Sequence, residues 1–331
     1  MTKTVLVTDY AWPSLDIERE VFAEAGAELL VAETGIEDEL VGLAPRADAI
    51  LTCFQKVTAA VLEAAPHCCT VARYGVGVDN IDVARATELG MVVSNVPDYC
   101  VDEVSDHTAA LILALTRRVV PFARQVADGG WDSTAFPPMR RLRGQTLGLV
   151  GFGAIARRVA TKMRGFGMQV LAYSPGLHAG EQTDEVIAAG SLAEVLARSD
   201  VLSLHVPLNE GTRGLIDAEA LSRMKPSALL INTARGPLVD TTALAGALAA
   251  GRLAGAALDV LPHEPPAPDE PLLGMDNVIL TPHAAFASLE AVAELQNKAA
   301  TNVAAVLAGR RPRYVVNPGV YRDPADVAVR S

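Results

Sequence analysis

The sequence predicts an α/β chain built on parallel sheets, and three observations carry that prediction. Short apolar runs alternate with stretches of helical length along nearly the whole chain. The runs of the second half are almost continuously apolar, as strands covered on both faces must be. One of them turns through a Gly-x-Gly-x-x-Ala corner into a helical stretch. At 331 residues the chain exceeds one ordinary core, so two domains are expected.

From Lys3 to Ser94 the expected strands are "TVLVT", "AELLVA", "DAILT", "TVARYG" and "MVVSN". Segments such as "SLDIEREVFAEAG" and "TAAVLEAAP" supply helices between them. Next comes "VDEVSDHTAALILALTRRVV", whose acidic start suits a helix N-terminus and whose Arg117-Arg118 suits its end. Its apolar middle leaves no polar face, which places helix 103–119 at a domain junction or a subunit interface. The loop "ADGGWDSTAFPPMRRLRG" comes after it, then a second strand series: "LGLVG", "QVLAY", "DVLSLHV", "ALLINT", "GAALDV" and "NVILTP". One long helix is expected over Phe286 to Ala308, and the tail after Tyr321 is expected to be mobile.

The balance of 28 basic and 39 acidic residues gives −11 with no Lys/Arg run, which argues against a nucleic-acid partner. No apolar segment has spanning length or signal-peptide form, so a cytoplasmic location and no membrane partner are expected. Cys53, Cys68, Cys69 and Cys100 lack ligand spacing and read as small core residues, with no metal expected.

In "TLGLVGFGAIARRVATKMRGFGMQVLAYS", Gly151-Phe152-Gly153-Ala154-Ile155-Ala156 lies between a strand and a helix, with another strand beyond the helix. Gly151 permits the tight turn, Gly153 lets backbone approach a pyrophosphate, and Ala156 is small where helix and strand pack, the signature of a Rossmann dinucleotide unit. At the end of the second strand, where a carboxylate usually selects NAD, stands Ser174. NAD is the expected cofactor and NADP stays open, with His178 as the nearest candidate cation.

Three later strands end in polar residues of different types: Arg235 after "LLINTA", Asp259 and then Glu264 in "GAALDVLPHEPP", and His283 in "NVILTPHAAF". Carboxyl ends of parallel strands line the ligand crevice, so these side chains are expected to converge near the glycine turn. Taken singly, each has a bland alternative as a solvated charge, a loop acid or a capping histidine.

Taken together with "RYGVGVDNID" (73–82), "GFGAIA" (151–156), "NTARGPLVD" (232–240) and "TPHAAF" (281–286), they make the chain resemble the D-isomer-specific 2-hydroxyacid dehydrogenases. That family includes phosphoglycerate dehydrogenase and the C-terminal-binding-protein corepressors. The resemblance runs from about Thr52 to about Arg310. It implies a Rossmann NAD(P)-binding domain (101–286) inserted into a flavodoxin-like α/β substrate domain (1–100 and 287–331), with the ligand in the hinge cleft. It also implies a homodimer through the nucleotide domain.

The resemblance implies an oxidoreductase acting on CH–OH donors: a D-2-hydroxyacid dehydrogenase, or 2-oxo acid reductase, with Arg235, Glu264 and His283 as its catalytic set. The residue types agree with the chemistry. Arg235 offers planar donors to the carboxylate and ketone of a 2-oxo acid. His283 can protonate the alkoxide that hydride transfer creates, and Glu264 would favour the charged imidazole and fix its tautomer. Asp259 is implied at the nicotinamide carboxamide. Gly151, Phe152, Gly153, Ala154, Ile155, Ser174, His205, Val206, Pro207, Thr212, Thr233, Ala234 and Ala285 are implied to line the cofactor, with Arg235, Asp259 and His283. Tyr74, Gly75, Val76 and Gly77 are implied at the substrate, with Arg235 and His283; the two glycines let nearby amides face an anion.

Formate dehydrogenases of the same fold carry Gln where this chain has Glu264, which argues against formate. Where phosphoglycerate dehydrogenases place arginine, this chain has Thr52, Cys53, Phe54 and Gln55, with Lys56 the one nearby cation. A smaller or more apolar 2-oxo acid is therefore expected near Tyr74, Phe54 and Trp12, with a core role expected more of Phe54 than of Trp12. The rival readings are an NAD(H)-sensing, corepressor-like binding protein without significant turnover, and a phosphite-type oxidoreductase on the same scaffold.

Overall fold

The computed structural model describes residues 2–180 and 186–321. It forms two compact units, Met1–Cys100 with Ser288–Ser331, and Val101–Ala287.

The first unit holds a parallel sheet in the order β2-β1-β3-β4-β5, from β1 (Lys3–Val7), β2 (Ala27–Val31), β3 (Ala49–Thr52), β4 (Thr70–Arg73) and β5 (Val92–Ser94). The neighbouring strands β3 and β4 have every residue buried, which is why they read as apolar or small-residue runs up to Arg73 at the end of β4. Helices α1 (Asp16–Glu24), α2 (Glu37–Leu43), α3 (Ala59–Glu63) and α4 (Val83–Glu88) connect them. Leu6, Ile50, Val71 and Val93 meet Leu40, Val61 and Ala86 in one core.

The second unit begins with α5 (Val101–Thr116) and α6 (Val119–Ala127). Its sheet is again parallel, β12-β11-β10-β9-β6-β7-β8. The strands are β6 (Thr146–Val150), β7 (Gln169–Tyr173), β8 (Ile187–Ala188), β9 (Val201–Leu204), β10 (Leu229–Asn232), β11 (Gly255–Leu258) and β12 (Val278–Leu280). Strand order reverses at β6, where a doubly wound sheet opens its ligand crevice. Helices α7 (Ala154–Gly165), α8 (Leu192–Arg198), α9 (Ala218–Arg223) and α10 (Thr241–Ala249) pack the faces. Ser191, Asp217 and Asp240 cap the last three by accepting a first-turn N–H. Helix α11 (Leu289–Leu307) belongs to the first unit, against α1 and β4.

Several expectations need correction. The last long helix starts at Leu289 rather than Phe286, because the Ser288 hydroxyl accepts from Ala291 N and caps it there. Helix α5 ends at Thr116, and Arg118 turns left-handed at φ 53°, which frees the chain to start α6 in a new direction. The apolar all-round face of α5 packs on α7, β10 and β11 within its own unit. Exposed apolar side chains lie instead on α6 and the arm beyond it: Val119, Val126 and Trp131, the last 90% exposed. The tail after Tyr321 lies outside the described residues. Cys53, Cys68 and Cys100 are buried and no disulfide joins any of the four cysteines; burial pushes the Cys53 and Cys68 thiols up to about 12. Among the described residues no helix is long and apolar enough to cross a membrane, and no group of three His, Cys, Asp or Glu side chains gathers as a metal centre would.

Candidate active site

Every predicted cofactor or catalytic residue of the second unit lies in a segment that follows the carboxyl end of a strand of its sheet, or at the start of α7, with Thr212 and Glu264 furthest from their strands. At β6, Gly151 has φ 93°, and a Cβ there would lie 2.5 Å from the carbonyl oxygen of His205, so the turn admits only glycine. Gly153 faces open space and leads into α7, whose first turn has neither a side-chain cap nor an acidic residue. The N–H groups of that turn and the positive helix end are a ready anion site, which fits a dinucleotide's pyrophosphate. Ser174, half-buried, comes just after β7, and His178 is exposed.

His205 comes directly after β9; its Nε2 lies 2.9 Å from Ser203 Oγ, and burial pushes the imidazole down to about 4, so it is neutral. Val206 and Pro207 come next. The Thr212 hydroxyl is spent on its own loop, donating to Pro207 O at 2.7 Å and accepting from Asn209 N at 2.9 Å. Thr212 thus braces the 207–212 turn.

After β10 the chain passes Thr233 and Ala234 to Arg235. The buried Asn232 holds this corner, donating from Nδ2 to Arg235 O at 2.8 Å and accepting at Oδ1 from Ala234 N at 3.0 Å. Arg235 Nη1 donates to Ala234 O at 2.8 Å. Gly236 is next, pressed against the Leu261-Pro262 backbone so closely that a Cβ would fall 1.9 Å from Leu261 C.

After β11, Asp259 is buried and its carboxylate grips the loop beyond β12: Oδ1 accepts from Thr281 Oγ1 (2.5 Å) and Ala284 N (3.0 Å), Oδ2 from Ala285 N (2.9 Å). A carboxylate has about four acceptor positions, so one remains on Oδ2 for a further donor. His283 N donates to Asp259 O at 2.8 Å, and His283 itself sits at φ 53°. Its Nδ1 lies 2.7 Å from Glu264 Oε2, while Glu264 Oε1 accepts from Leu261 N at 2.9 Å. Partial burial pushes the Glu264 carboxyl up, but the bond to His283, its charge, the Leu261 N–H and the Arg235 charge together hold it below the ordinary carboxylate value. Arg235, Glu264 and His283 thus form one electrostatic group within a single unit.

In the first unit, Gly75 has φ 146°, and a Cβ there would lie 1.8 Å from Arg73 Nη1. Val96 N and Asn95 Nδ2 donate to the carbonyls of Gly75 and Val76. The N–H groups of Val76 and Gly77 find no acceptor among the described residues, as an anion-facing turn requires.

Three expectations fail here. The Tyr74 side chain is 1% exposed and its hydroxyl donates to buried Glu18 at 2.8 Å, with Gln296 Nε2 on the other Glu18 oxygen at 2.9 Å. Its ring is structural, because a phenol can enter a core only with its O–H matched. Trp12, 7% exposed, packs edge-on to Tyr74 with ring centroids 4.7 Å apart, whereas Phe54 is 44% exposed, the reverse of the expected ranking. Lys56 is also not the one cation near segment 52–56: buried Arg73 donates from Nε to Cys53 O at 3.2 Å. Asn232 also belongs to the site's framework, and its signal in the sequence is that of an Asn at a strand end before a corner.

A family model for the D-isomer specific 2-hydroxyacid dehydrogenase NAD binding domain matches residues 109–285. A glyoxylate reductase from Korarchaeum cryptofilum is 43% identical over 270 residues, 80% of this chain and 81% of its own. A D-lactate dehydrogenase from Aquifex aeolicus, solved with NAD and lactic acid, superposes with TM-score 0.82 at 29% identity, covering 93% of this chain and 96% of that one. An NADPH-dependent glyoxylate/hydroxypyruvate reductase from Sinorhizobium meliloti, solved with NADP and malonate, gives TM-score 0.82 at 29% identity over 96% and 97%.

Proposed function

This chain belongs to the D-isomer specific 2-hydroxyacid dehydrogenase family, NAD(P)-dependent oxidoreductases acting on CH–OH donors, and on that premise we propose that it reduces a small 2-oxo acid to the D-2-hydroxy acid. What supports the reading most is the 2.7 Å pair of His283 Nδ1 and Glu264 Oε2, with the Arg235 charge acting on the same carboxylate. The bound dinucleotide supplies the hydride. Arg235 holds the substrate carboxylate and polarises its ketone. With Nδ1 committed to Glu264, His283 passes its proton from Nε2 to the developing alkoxide, and Glu264 balances the imidazolium. In the oxidative direction His283 Nε2 is the base. Val76 and Gly77 offer amides to an anion, and Asp259 Oδ2 keeps an acceptor for a carboxamide N–H. Gly151 to Ile155, Ser174, the 205–207 segment, Thr233, Ala234 and Ala285 form the dinucleotide's bed, with Thr212 bracing it.

The test is a panel of glyoxylate, hydroxypyruvate, pyruvate and bulkier 2-oxo acids with NADH and with NADPH. The expected result is the highest kcat/KM among the first two. Tight cofactor binding with turnover of none would establish the NAD(H)-sensing alternative instead. Ser174→Asp should lower kcat/KM for NADPH by about tenfold or more and leave NADH nearly unchanged, since a carboxylate accepts from ribose hydroxyls and repels a 2′-phosphate.

The chain acts as a homodimer through its second unit, where α6 and the arm beyond it expose Val119, Val126 and Trp131. Light scattering should return twice the chain mass, and Trp131→Ser should shift the equilibrium toward monomer; a monomeric wild type would refute the assembly.

A further inference from the structure

Two consecutive residues of α5 grip the two loops that carry the proposed chemistry. Thr108 Oγ1 donates to Val104 O at 2.7 Å, so its 2.9 Å contact with Thr233 Oγ1 is one it accepts, from the corner leading to Arg235. His107 Nε2 lies 3.0 Å from Thr281 Oγ1, two residues before His283. Thr281 has one hydroxyl proton and gives it to Asp259 Oδ1 at 2.5 Å. Its oxygen can therefore only accept from His107, which makes Nε2 of His107 a protonated donor. Donors and acceptors then run in one direction, from His107 through Thr281 to a carboxylate that also holds the amides of Ala284 and Ala285.

We propose that His107 is a positioning residue: it locks the Thr281–Asp259 bond and thereby the turn that presents His283. This inference rests on the acid–base role given to His283 above. His283 sits at φ 53°, a conformation that side-chain-bearing residues adopt only where the surroundings over-determine it. Bonds that clamp 281–285 supply that determination, and His107 is their outermost donor, reached from a helix rather than from the loop itself. Without it only the bond to Asp259 holds the Thr281 hydroxyl, and the Asp259 carboxylate, whose Oδ1 also lies 3.6 Å from His107 Nε2, is held less firmly toward the two amides. The imidazole of His283 then samples orientations away from the reacting carbonyl, which lowers kcat more than it weakens binding.

The test compares His107→Leu with His107→Gln, whose amide nitrogen can take the place of Nε2. Hydrogen exchange followed by mass spectrometry on the ligand-free protein reads the clamp directly. In His107→Leu, exchange in the peptide spanning 281–287 should rise about fivefold or more, while the one spanning β6 stays at the wild-type rate. The kcat for the best 2-oxo acid should fall about tenfold with KM within threefold, and His107→Gln should recover most of both losses. Unchanged exchange at 281–287 in His107→Leu would overturn the proposal. Equal acceleration in β6 would also overturn it, by making His107 a general stability residue. If the wild type turned over no 2-oxo acid, the functional reading would fail while the exchange comparison still decided whether His107 holds the turn.

Discussion

Replacing His283 with alanine should lower kcat for 2-oxo acid reduction by about 10³-fold, within the range that a positioned acid contributes. Dinucleotide affinity should stay within a few-fold of wild type, because the glycine turn at Gly151 and the uncapped start of α7 are untouched. Glu264→Gln keeps a hydrogen-bonding partner at Nδ1 but removes the balancing charge, so a smaller loss of about 10- to 10²-fold is expected. The measurement is reduced-cofactor absorbance for turnover beside fluorescence titration for binding. Near-wild-type turnover in His283→Ala would remove that residue from the chemistry. The Glu264 carboxyl also has a pH signature. Its value in the folded chain is depressed, so its ionised form contributes stability that is fully present above the ordinary value of about 4.3 and is lost as pH falls through the lower folded value. The stability gap between wild type and Glu264→Gln, read by denaturant unfolding, should therefore be open near neutrality and close in acid.

Much of this arrangement was legible because parallel strands buried on both faces lose their period and read as unbroken apolar runs. "LLIN" and "GAAL" needed no partner information to be placed, and residues just past a parallel strand's carboxyl end face the crevice. Arg235, Asp259 and His283 follow such strand ends closely and Glu264 lies a little further on; their roles are what the family resemblance implies. Pairings between distant positions escaped. Nothing near Tyr74 announces that Glu18 and Gln296 will bury its hydroxyl, and nothing near His107 announces Thr281, 174 residues away. Helix α6 escaped for another reason. Its first residues, Val119 and Val120, read as the end of the helix before it, and only the left-handed Arg118 divides the two. The sequence did show an apolar surplus around 103–119, but α5 spends that surplus inside its own unit, and the apolar surface left over belongs to the arm beyond. Ranking Phe54 as more core-like than Trp12 failed similarly. Side-chain size sets how much a residue gains from burial, but the loop's path decides which of the two is buried.

Gly236→Ala should be the most damaging single-methyl change in the second unit. The added carbon would fall 1.9 Å from Leu261 C, 2.1 Å from Leu261 O and 2.4 Å from Pro262 N, all backbone atoms that no rotamer change can withdraw. The corner after β10 and the loop after β11 must then part, and that joint carries Arg235 on one side and, through the Leu261 N–H, Glu264 on the other. Overpacking against a rigid backbone costs about 3 kcal/mol or more here, at the upper end for inserted methyls. For a unit of this size that corresponds to a fall in Tm of about 6–12 °C. Activity should fall beyond what the folded fraction explains, since Arg235 and the His283–Glu264 pair would no longer hold their spacing. Gly246→Ala is the matched control. It lies on the exposed side of α10 with no atom within 4 Å of an added carbon. There the same methyl lowers the entropy of the unfolded chain and favours the helix, so a gain of about 0.5–1 kcal/mol is expected. Calorimetry on both variants decides the matter: a Gly236→Ala protein as stable as wild type would mean that the two loops are not braced against each other, and the rigid spacing of guanidinium and imidazole would need another cause.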